Sequence, residues 1–267
     1  MTRLGVCGWP VAHSRSPDMH NAALRALGLR DWRYQLLPVP PDAFAVTVRA
    51  LERAGFRGVN VTIPHKEAAL TLADTATKTA RAVGAANTLT FQDGRVAADN
   101  TDVAGLLHAI PERYHPQGRR ALVLGAGGAG RAAVHALLQA GAADVQVWNR
   151  TPARAERLCA ELGGRPVREP EPAELIVQCT SVGLSAGEVA FKGLPVDADA
   201  LGVGTCVVDM VYRAGGTAFL AAARSRGGDV VDGLDILVGQ GAIAFEQWTG
   251  KSAPIGVMRR AIADPAP

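Results

Sequence analysis

The sequence predicts an α/β protein of two domains: an N-terminal one of βαβ units on a mostly parallel sheet, and a second, doubly wound one. Three observations predict it. Short β-rich runs alternate with helical patterns through the first hundred residues, which is how βαβ units read. The polar stretch "PERYHPQGRR" at residues 111–120 then breaks the pattern and reads as a linker. From Ala121 the alternation restarts with a strand, a glycine turn and an alanine-rich helix. At 267 residues, 48% of them apolar, the chain is long for one ordinary domain and can bury a sizeable core.

Taken in order, the first strand is "RLGVCG". In "VAHSRSPDMHNAALRALG" a helix is expected over Pro17–Leu27, with Ser16 as N-cap, Pro17 at the first helical position, Asp18 in the first turn and Gly28 at the far end. "RYQLLPV" is a second strand, about Pro41 to Ala54 a second helix, and "GVNVTI" a third strand. A helical stretch through Ala80 leads into the strands "NTLTF" and "RVAAD", joined by a hairpin turn at Gln92-Asp93-Gly94. "DVAGLLHAI", from Asp102, is a helix that ends before Pro111.

The second domain opens "ALVLGAGGAGRAAVHALLQAGAADVQVWNRT". Gly125, Gly127 and Gly130 fit G-x-G-x-x-G after a strand and at the start of a helix, the context in which that motif binds a dinucleotide. The first glycine makes the tight turn, the second lets backbone approach a pyrophosphate, and the third lets helix and strand pack closely. Ala126, Gly128 and Ala129 complete the loop. The pyrophosphate would lie on the helix N-terminus, where unpaired N–H groups and the dipole favour anions. This is a Rossmann-type arrangement. The next strand ends in Asn149-Arg150-Thr151 instead of the acid that holds a free ribose 2′-hydroxyl, and Arg154 follows one turn later. An arginine fork grips a phosphate that an acid would repel, so the expected cofactor is NADP(H). Further strand candidates are "ELIVQCTS", "TCVVDMV" and "DVVDG". The last thirty residues, "LDILVGQGAIAFEQWTG" and "IGVMRRAIA", read as helices, and periodicity leaves open which domain they pack on.

Several function classes are disfavoured. A net charge of +3, scattered along the chain, argues against nucleic acid, which calls for a clustered basic stripe. "MTRLGVCGWPVAH" turns polar too early for a secretory segment, and no apolar run approaches the roughly 20 residues that span a bilayer. A cytoplasmic, soluble protein without a membrane partner is expected. Cys7, Cys159, Cys179 and Cys206 are far apart with no C-x-x-C pair, so they are read as buried thiols and no metal is expected.

The first domain carries a second group of chemistry-bearing residues. Ser14 places a hydroxyl two residues before Ser16 at the same positive helix end, so a carboxylate seat and simple capping are both open there. Asn60, Thr62 and Lys66 stand at the C-terminal end of a strand, where open parallel sheets bind ligands. Asn87 in "AANTLTF" and Asp102 in "DNTDVAG" join them, each also able to cap or turn the chain.

With these residues in view, the chain resembles the NADP-dependent shikimate dehydrogenases of the shikimate/quinate dehydrogenase family over essentially its whole length. "HSRSPDMHN", "GVNVTIPHK", "GAANTL", "DNTDVAG", "GAGGAGRA", "NRTPARAERL", "DMVY" and "DGLDILVGQGAIAFEQWTG" match its blocks in order. The resemblance implies reduction of 3-dehydroshikimate to shikimate with NADPH, on the way to aromatic amino acids. It implies that Ser14 and Ser16 hold the substrate carboxylate, that Thr62, Asn87, Tyr212 and Gln240 hold other substrate atoms, and that Lys66 and Asp102 form the catalytic pair. Gly125 to Gly130, Asn149, Arg150, Thr151, Arg154, Met210 and Gly233 would line the cofactor. Residues 1–102 would be the substrate-binding domain and 103–235 the NADP-binding domain, with the helices of 236–267 returning to the first. A monomer or homodimer is expected. Three positions depart from the family pattern: Gln178 replaces the usual asparagine, Lys78 stands where an acid is frequent, and "YRAGGT" lacks a proline. Two rivals stay open: a dehydrogenase that also accepts quinate, and a non-catalytic NADP(H)-binding sensor.

Overall fold

Strands buried on both faces read as continuous apolar runs, and those flanked by water on one side alternate; both kinds occur here. The computed structural model describes residues 1–183, 191–213 and 215–263. The chain divides into two units, Met1–Asp102 with Leu237–Pro267, and Val103–Ile236.

The first unit begins with β1 (Thr2–Gly8), α1 (Ser16–Ala26), β2 (Trp32–Pro38), α2 (Phe44–Leu51) and β3 (Phe56–Val61). It continues through α3 (Lys66–Leu72), β4 (Thr75–Ala76), α4 (Lys78–Val83), β5 (Thr88–Gln92) and β6 (Arg95–Asp99), and α5 (Asp102–Ala109) leads out of it. The strand order is β2-β1-β3-β5-β6-β4. β1 pairs parallel with β2 and β3, and β4 with β6, while β5 runs antiparallel to both β3 and β6. The β5–β6 connection is a two-residue turn with Asp93 at φ 54° and Gly94 at φ 73°, the conformation that matches strand twist in a tight hairpin.

In the second unit β7 (Arg120–Leu124), α6 (Gly128–Gln139), β8 (Asp144–Trp148), α7 (Pro152–Leu162) and β9 (Arg165–Pro166) are followed by β10 (Leu175–Gln178) and β11 (Cys206–Asp209). Then come α8 (Ala218–Ser225), β12 (Asp229–Val231), α9 (Gly233–Thr249), which carries the chain back to the first unit, and α10 (Ile255–Ala263). The sheet is entirely parallel with order β12-β11-β10-β7-β8-β9. Numbered within the unit this is the 3-2-1-4-5-6 order of the doubly wound dinucleotide fold, so the Rossmann expectation holds. α6 can lie close to its sheet because Ala132, Ala133 and Ala136 face inward with no more than 1% exposure.

Some local expectations need correction. Ser16 is not an N-cap: Arg15 occupies that position with φ −87° and ψ 0° and no side-chain cap, and Ser16 is the first helical residue. The helix expected from Pro41 to Ala54 is a 3₁₀ turn, Pro41–Ala43, followed by the shorter α2. β4 and β9, two residues each, escaped the sequence reading because two residues carry no period.

Within the first unit His20 of α1 is fully buried and stacks on Tyr34 at 4.2 Å between ring centroids, with Phe245 and Trp248 nearby. Neither ring nitrogen meets a hydrogen-bond partner among the described residues. Burial pushes this imidazole down to about 3. A depressed folded-state value means stability that is present above the ordinary histidine value of 6.5 and lost as the pH falls toward 3. We expect unfolding free energy to decline by an extra ~1.4 kcal/mol per pH unit below about pH 6 from this group alone. His20→Phe, which keeps the stack and removes the titration, should flatten that limb in urea melts between pH 7 and 5; an unchanged slope would assign the acid sensitivity elsewhere.

Candidate functional site

In the first unit the polar residues collect at one edge of the sheet because of its topology. The segment holding Ser14 and Ser16 follows β1, and Thr62 and Lys66 follow the parallel β3. β5 runs the other way, so Asn87, just before it, returns to that edge, and β6 reverses again to deliver Asp102 there. Thr62 is clamped by its backbone N–H to Cys7 O at 2.9 Å, and its methyl lies where a side chain on Gly8 would collide, 2.4 Å from the Cβ position.

Four of the expected site residues are joined directly. Lys66 Nζ donates to Asp102 Oδ2 at 2.7 Å. Asn87 Nδ2 donates to Asp102 Oδ1 at 2.9 Å and to Gln240 Oε1 at 3.1 Å. Gln240, from α9, turns its own amide N–H to Leu237 O. The lysine and aspartate side chains are only 13% and 8% exposed, so Lys66 is no solvated surface cation. As the first residue of α3, Lys66 faces the positive end of its own helix, which disfavours a cation, and the carboxylate of Asp102 offsets that. Asp102 opens α5, where a negative charge is favoured, and its N–H donates to Asn100 Oδ1. Ser14 and Ser16 form a separate pair: Ser14 Oγ lies 3.2 Å from Ser16 Oγ and accepts from Ser16 N–H.

In the second unit every strand is parallel, so the glycine loop, Asn149, Met210 and Tyr212, and Gly233 all follow carboxyl ends of strands, with the order reversing between β7 and β10. The three motif glycines differ in their surroundings. Gly125 has φ 113°, and Gly130 is held so close that a Cβ would sit 2.0 Å from Gly125 O, while around Gly127 nothing lies within 4 Å. That is a tight turn, a packing contact and an open cradle in front of the α6 N-terminus, which fits a bound pyrophosphate. Asn149 Oδ1 accepts from Ala126 N–H at 3.1 Å and its Nδ2 donates to Thr151 O, tying the end of β8 to the glycine loop. Arg150 and Arg154 are exposed, and neither makes an ion pair among the described residues.

Gln178, one of the three departures, is held by its neighbours. Its amide reaches the turn after β10, accepting from Thr180 N–H and donating to Val182 O, and also touches Asp209 Oδ1 at 3.3 Å. Asp209 was not singled out from the sequence, although a carboxylate closing the apolar run "CVVD" was the available signal. It accepts from Thr217 Oγ1 at 2.6 Å and from Val211 N–H at 3.0 Å, fixing the segment that starts with Met210. Burial pushes its carboxyl up to about 7, opposed by those two hydrogen bonds and assisted by the charge of Asp232. Its contribution to stability is therefore complete below the ordinary carboxylate range and lost as the pH rises through about 7. Lys78 is exposed at the start of α4, and Ala214, within "YRAGGT", lies outside the described residues.

A doubly wound unit with a glycine cradle and unpaired arginines, in one chain with a half-buried lysine–carboxylate pair, defines a nicotinamide-dinucleotide oxidoreductase. Comparison with known proteins narrows this. Residues 6–89 match the shikimate dehydrogenase substrate binding domain, 110–180 the shikimate / quinate 5-dehydrogenase profile, and 233–263 the shikimate 5'-dehydrogenase C-terminal domain. A shikimate dehydrogenase (NADP(+)) of Citrifermentans bemidjiense is 45% identical, the match covering 97% of this chain and 93% of the relative. The crystal structure of Thermus thermophilus shikimate 5-dehydrogenase in complex with NADP(H) and shikimate is 43% identical with a TM-score of 0.87, covering 98% of both chains. That of Aquifex aeolicus shikimate dehydrogenase is 34% identical with a TM-score of 0.91, covering 99% of this chain and 98% of that one. The chain belongs to the shikimate dehydrogenase family.

The glycine loop yields a direct test. Gly130→Ala drives a methyl into backbone and should cost about 1–3 kcal/mol of stability. Gly127→Ala meets open space in an extended conformation, so it should melt near wild type yet bind NADPH at least about tenfold more weakly, about 1.4 kcal/mol, by fluorescence titration. Equal affinity in Gly127→Ala would mean that this face of the loop does not receive the pyrophosphate.

Proposed function

We propose that the protein catalyses the reversible NADPH-dependent reduction of 3-dehydroshikimate to shikimate. The observation that carries the reading is the Lys66–Asp102 pair, withdrawn from solvent and fixed by Asn87, in a chain of this family. Residues 1–102 and 236–267 hold the substrate in this reading, and 103–235 the dinucleotide. Ser14 and Ser16 seat the carboxylate, with Thr62, Asn87, Tyr212 and Gln240 on the remaining polar atoms. The glycine loop would hold the pyrophosphate, Asn149, Arg150, Thr151 and Arg154 the phosphorylated ribose, and Met210 and Gly233 would line the remainder.

NADPH, when bound, supplies the hydride to the ketone carbon. Negative charge then gathers on the ketone oxygen, and a donor must already stand there. Lys66 Nζ gives its proton to that oxygen, which becomes the new hydroxyl. Asp102 holds the ammonium in place and accepts a hydrogen bond from the substrate hydroxyl, so that the reverse reaction can use the same pair. No helix among the described residues is long and apolar enough to cross a membrane, and the reading has the enzyme in the cytoplasm, as monomer or homodimer, with small molecules as its ligands.

Three measurements test this. Wild-type enzyme should oxidise shikimate with NADP⁺, followed at the nicotinamide absorbance, and prefer NADP(H) over NAD(H) by at least about tenfold in kcat/KM, or about 1.4 kcal/mol. Arg150→Ala should erase most of that preference by weakening NADPH alone; equal losses for both cofactors would make the arginine structural. Lys66→Ala should lower kcat by about 10²- to 10⁴-fold with NADPH binding intact. A folded, cofactor-competent Lys66→Ala with near wild-type turnover would overturn the mechanism.

A further inference from the structure

We propose that Thr88 and Tyr34 are positioning residues for this reaction, holding the side-chain amide of Asn87 in the one orientation that presents N–H to Asp102. The proposal rests on the functional reading above for its catalytic meaning, and on the hydrogen bonds of the first unit for its geometry.

The polarity of the network can be assigned atom by atom, because fixed donors and acceptors bound it at several points. The backbone N–H of Thr101, which can only donate, lies 2.8 Å from Asn87 Oδ1. That oxygen therefore faces Thr101, and the Nδ2 of Asn87 must face Asp102. The same reasoning applies one step further back. Asn60 Nδ2 lies 3.2 Å from the backbone carbonyl of Asn87, which can only accept, so Asn60 Oδ1 points the other way and takes the hydroxyl proton of Tyr34 at 2.8 Å. Asn60 Nδ2 also reaches Thr88 Oγ1 at 3.2 Å, and Thr88 Oγ1 donates to Asn87 Oδ1 at 3.1 Å. Tyr34, Asn60, Thr88, Asn87 and Asp102 thus form one directed chain, each member no more than 5% exposed, with Lys66 at its far end.

What the chain achieves is a bias against the wrong rotamer of an amide. A flipped Asn87 would turn its oxygen toward the Asp102 carboxylate and its NH₂ toward the Thr101 N–H, so two hydrogen bonds would become two repulsions. Thr101 alone opposes that flip from one side. Thr88 adds a second donor to the same oxygen: Asn60, held by Tyr34, already donates to Thr88 Oγ1, and Asn87 Oδ1 at 3.1 Å is nearer than the other acceptor in reach, Thr101 Oγ1 at 3.3 Å. Buried networks of this kind hold one geometry only while each member is satisfied. Neither Thr88 nor Tyr34 belongs to the residues expected to touch substrate or cofactor.

The experiment pairs two substitutions at one site. Thr88→Val keeps the shape and deletes the hydroxyl, and Thr88→Ser keeps the hydroxyl. Selective ¹⁵N-asparagine labelling reports five side-chain amides, from Asn21, Asn60, Asn87, Asn100 and Asn149, with the Asn87 pair identified by its loss in Asn87→Ala. The expected result in Thr88→Val is a moved or broadened Asn87 signal and a kcat for shikimate oxidation lowered by about three- to tenfold, the worth of one hydrogen bond, with KM for NADP⁺ unchanged. Thr88→Ser should restore both. Tyr34→Phe should give a smaller loss, and the double variant Tyr34→Phe/Thr88→Val should be no worse than Thr88→Val, since the tyrosine acts through the threonine. A Thr88→Val protein that melts lower but keeps wild-type kcat would overturn the proposal, as would an unmoved Asn87 signal or losses that multiply in the double variant. If the wild-type protein does not oxidise shikimate, the functional reading fails, and the Asn87 signal still decides whether Thr88 orients the amide.

Discussion

The half-buried ion pair between Lys66 and Asp102 is the constraint around which the first unit is arranged. Taking two charges out of water costs several kcal/mol for each, and their attraction repays this only when the remaining lone pairs are also satisfied. Here one carboxylate oxygen receives the lysine and the other receives Asn87, so neither is left facing apolar surroundings. That requirement explains why the sheet is not uniformly parallel. An antiparallel β5 returns Asn87 to the edge at which β3 ends, and β6 then delivers Asp102 to the same edge. A fully parallel sheet of the kind in the second unit would have needed two more crossovers to bring these residues together.

The second unit solves a different problem, which is close approach. Alanines on α6 and the absent side chain of Gly130 let helix and strand come together, and the turn at Gly125 leaves Gly127 facing open space. The amide of Asn149 then pins the next strand to the same loop. At the other side of the reversal in strand order, the amide of Gln178 holds the turn after β10 and extends to Asp209 as well.

Much of this was legible in the sequence, for identifiable reasons. Alternating apolar runs, the glycine motif and the Asp93-Gly94 turn are local signals, and each marks what the structure contains. The cation at the end of β8 was equally local. Legibility failed where local chemistry is degenerate: two hydroxyls two residues apart both look like a cap, and only the backbone angles of Arg15 show that Ser16 lies inside the helix. It failed again where meaning arises across the fold. Thr88 and Thr101 are unremarkable threonines in sequence; Thr88 holds the amide of its own neighbour, and the hold of Thr101 on Asn87 exists only once β5 and the end of β6 lie side by side. Gln240 stands more than 150 positions from Asn87, and no period or spacing connects them; family resemblance alone pointed to it.

The first unit is discontinuous in the chain, with its last part, from Leu237 onward, separated from Met1–Asp102 by the whole second unit. Trp248 from that last part is buried against Gly58, where any side chain would collide with the indole, and donates to Leu89 O in β5. A ribosome therefore releases the first half of this unit long before its closing helices exist. The intervening residues 103–236 emerge as an uninterrupted segment and can condense first, in the usual amino-to-carboxyl succession. Until α9 and α10 arrive, the sheet lacks its tryptophan plug and the edge that carries Lys66 and Asp102 lacks its glutamine, so this polar edge is completed only after residues 103–236 have been made.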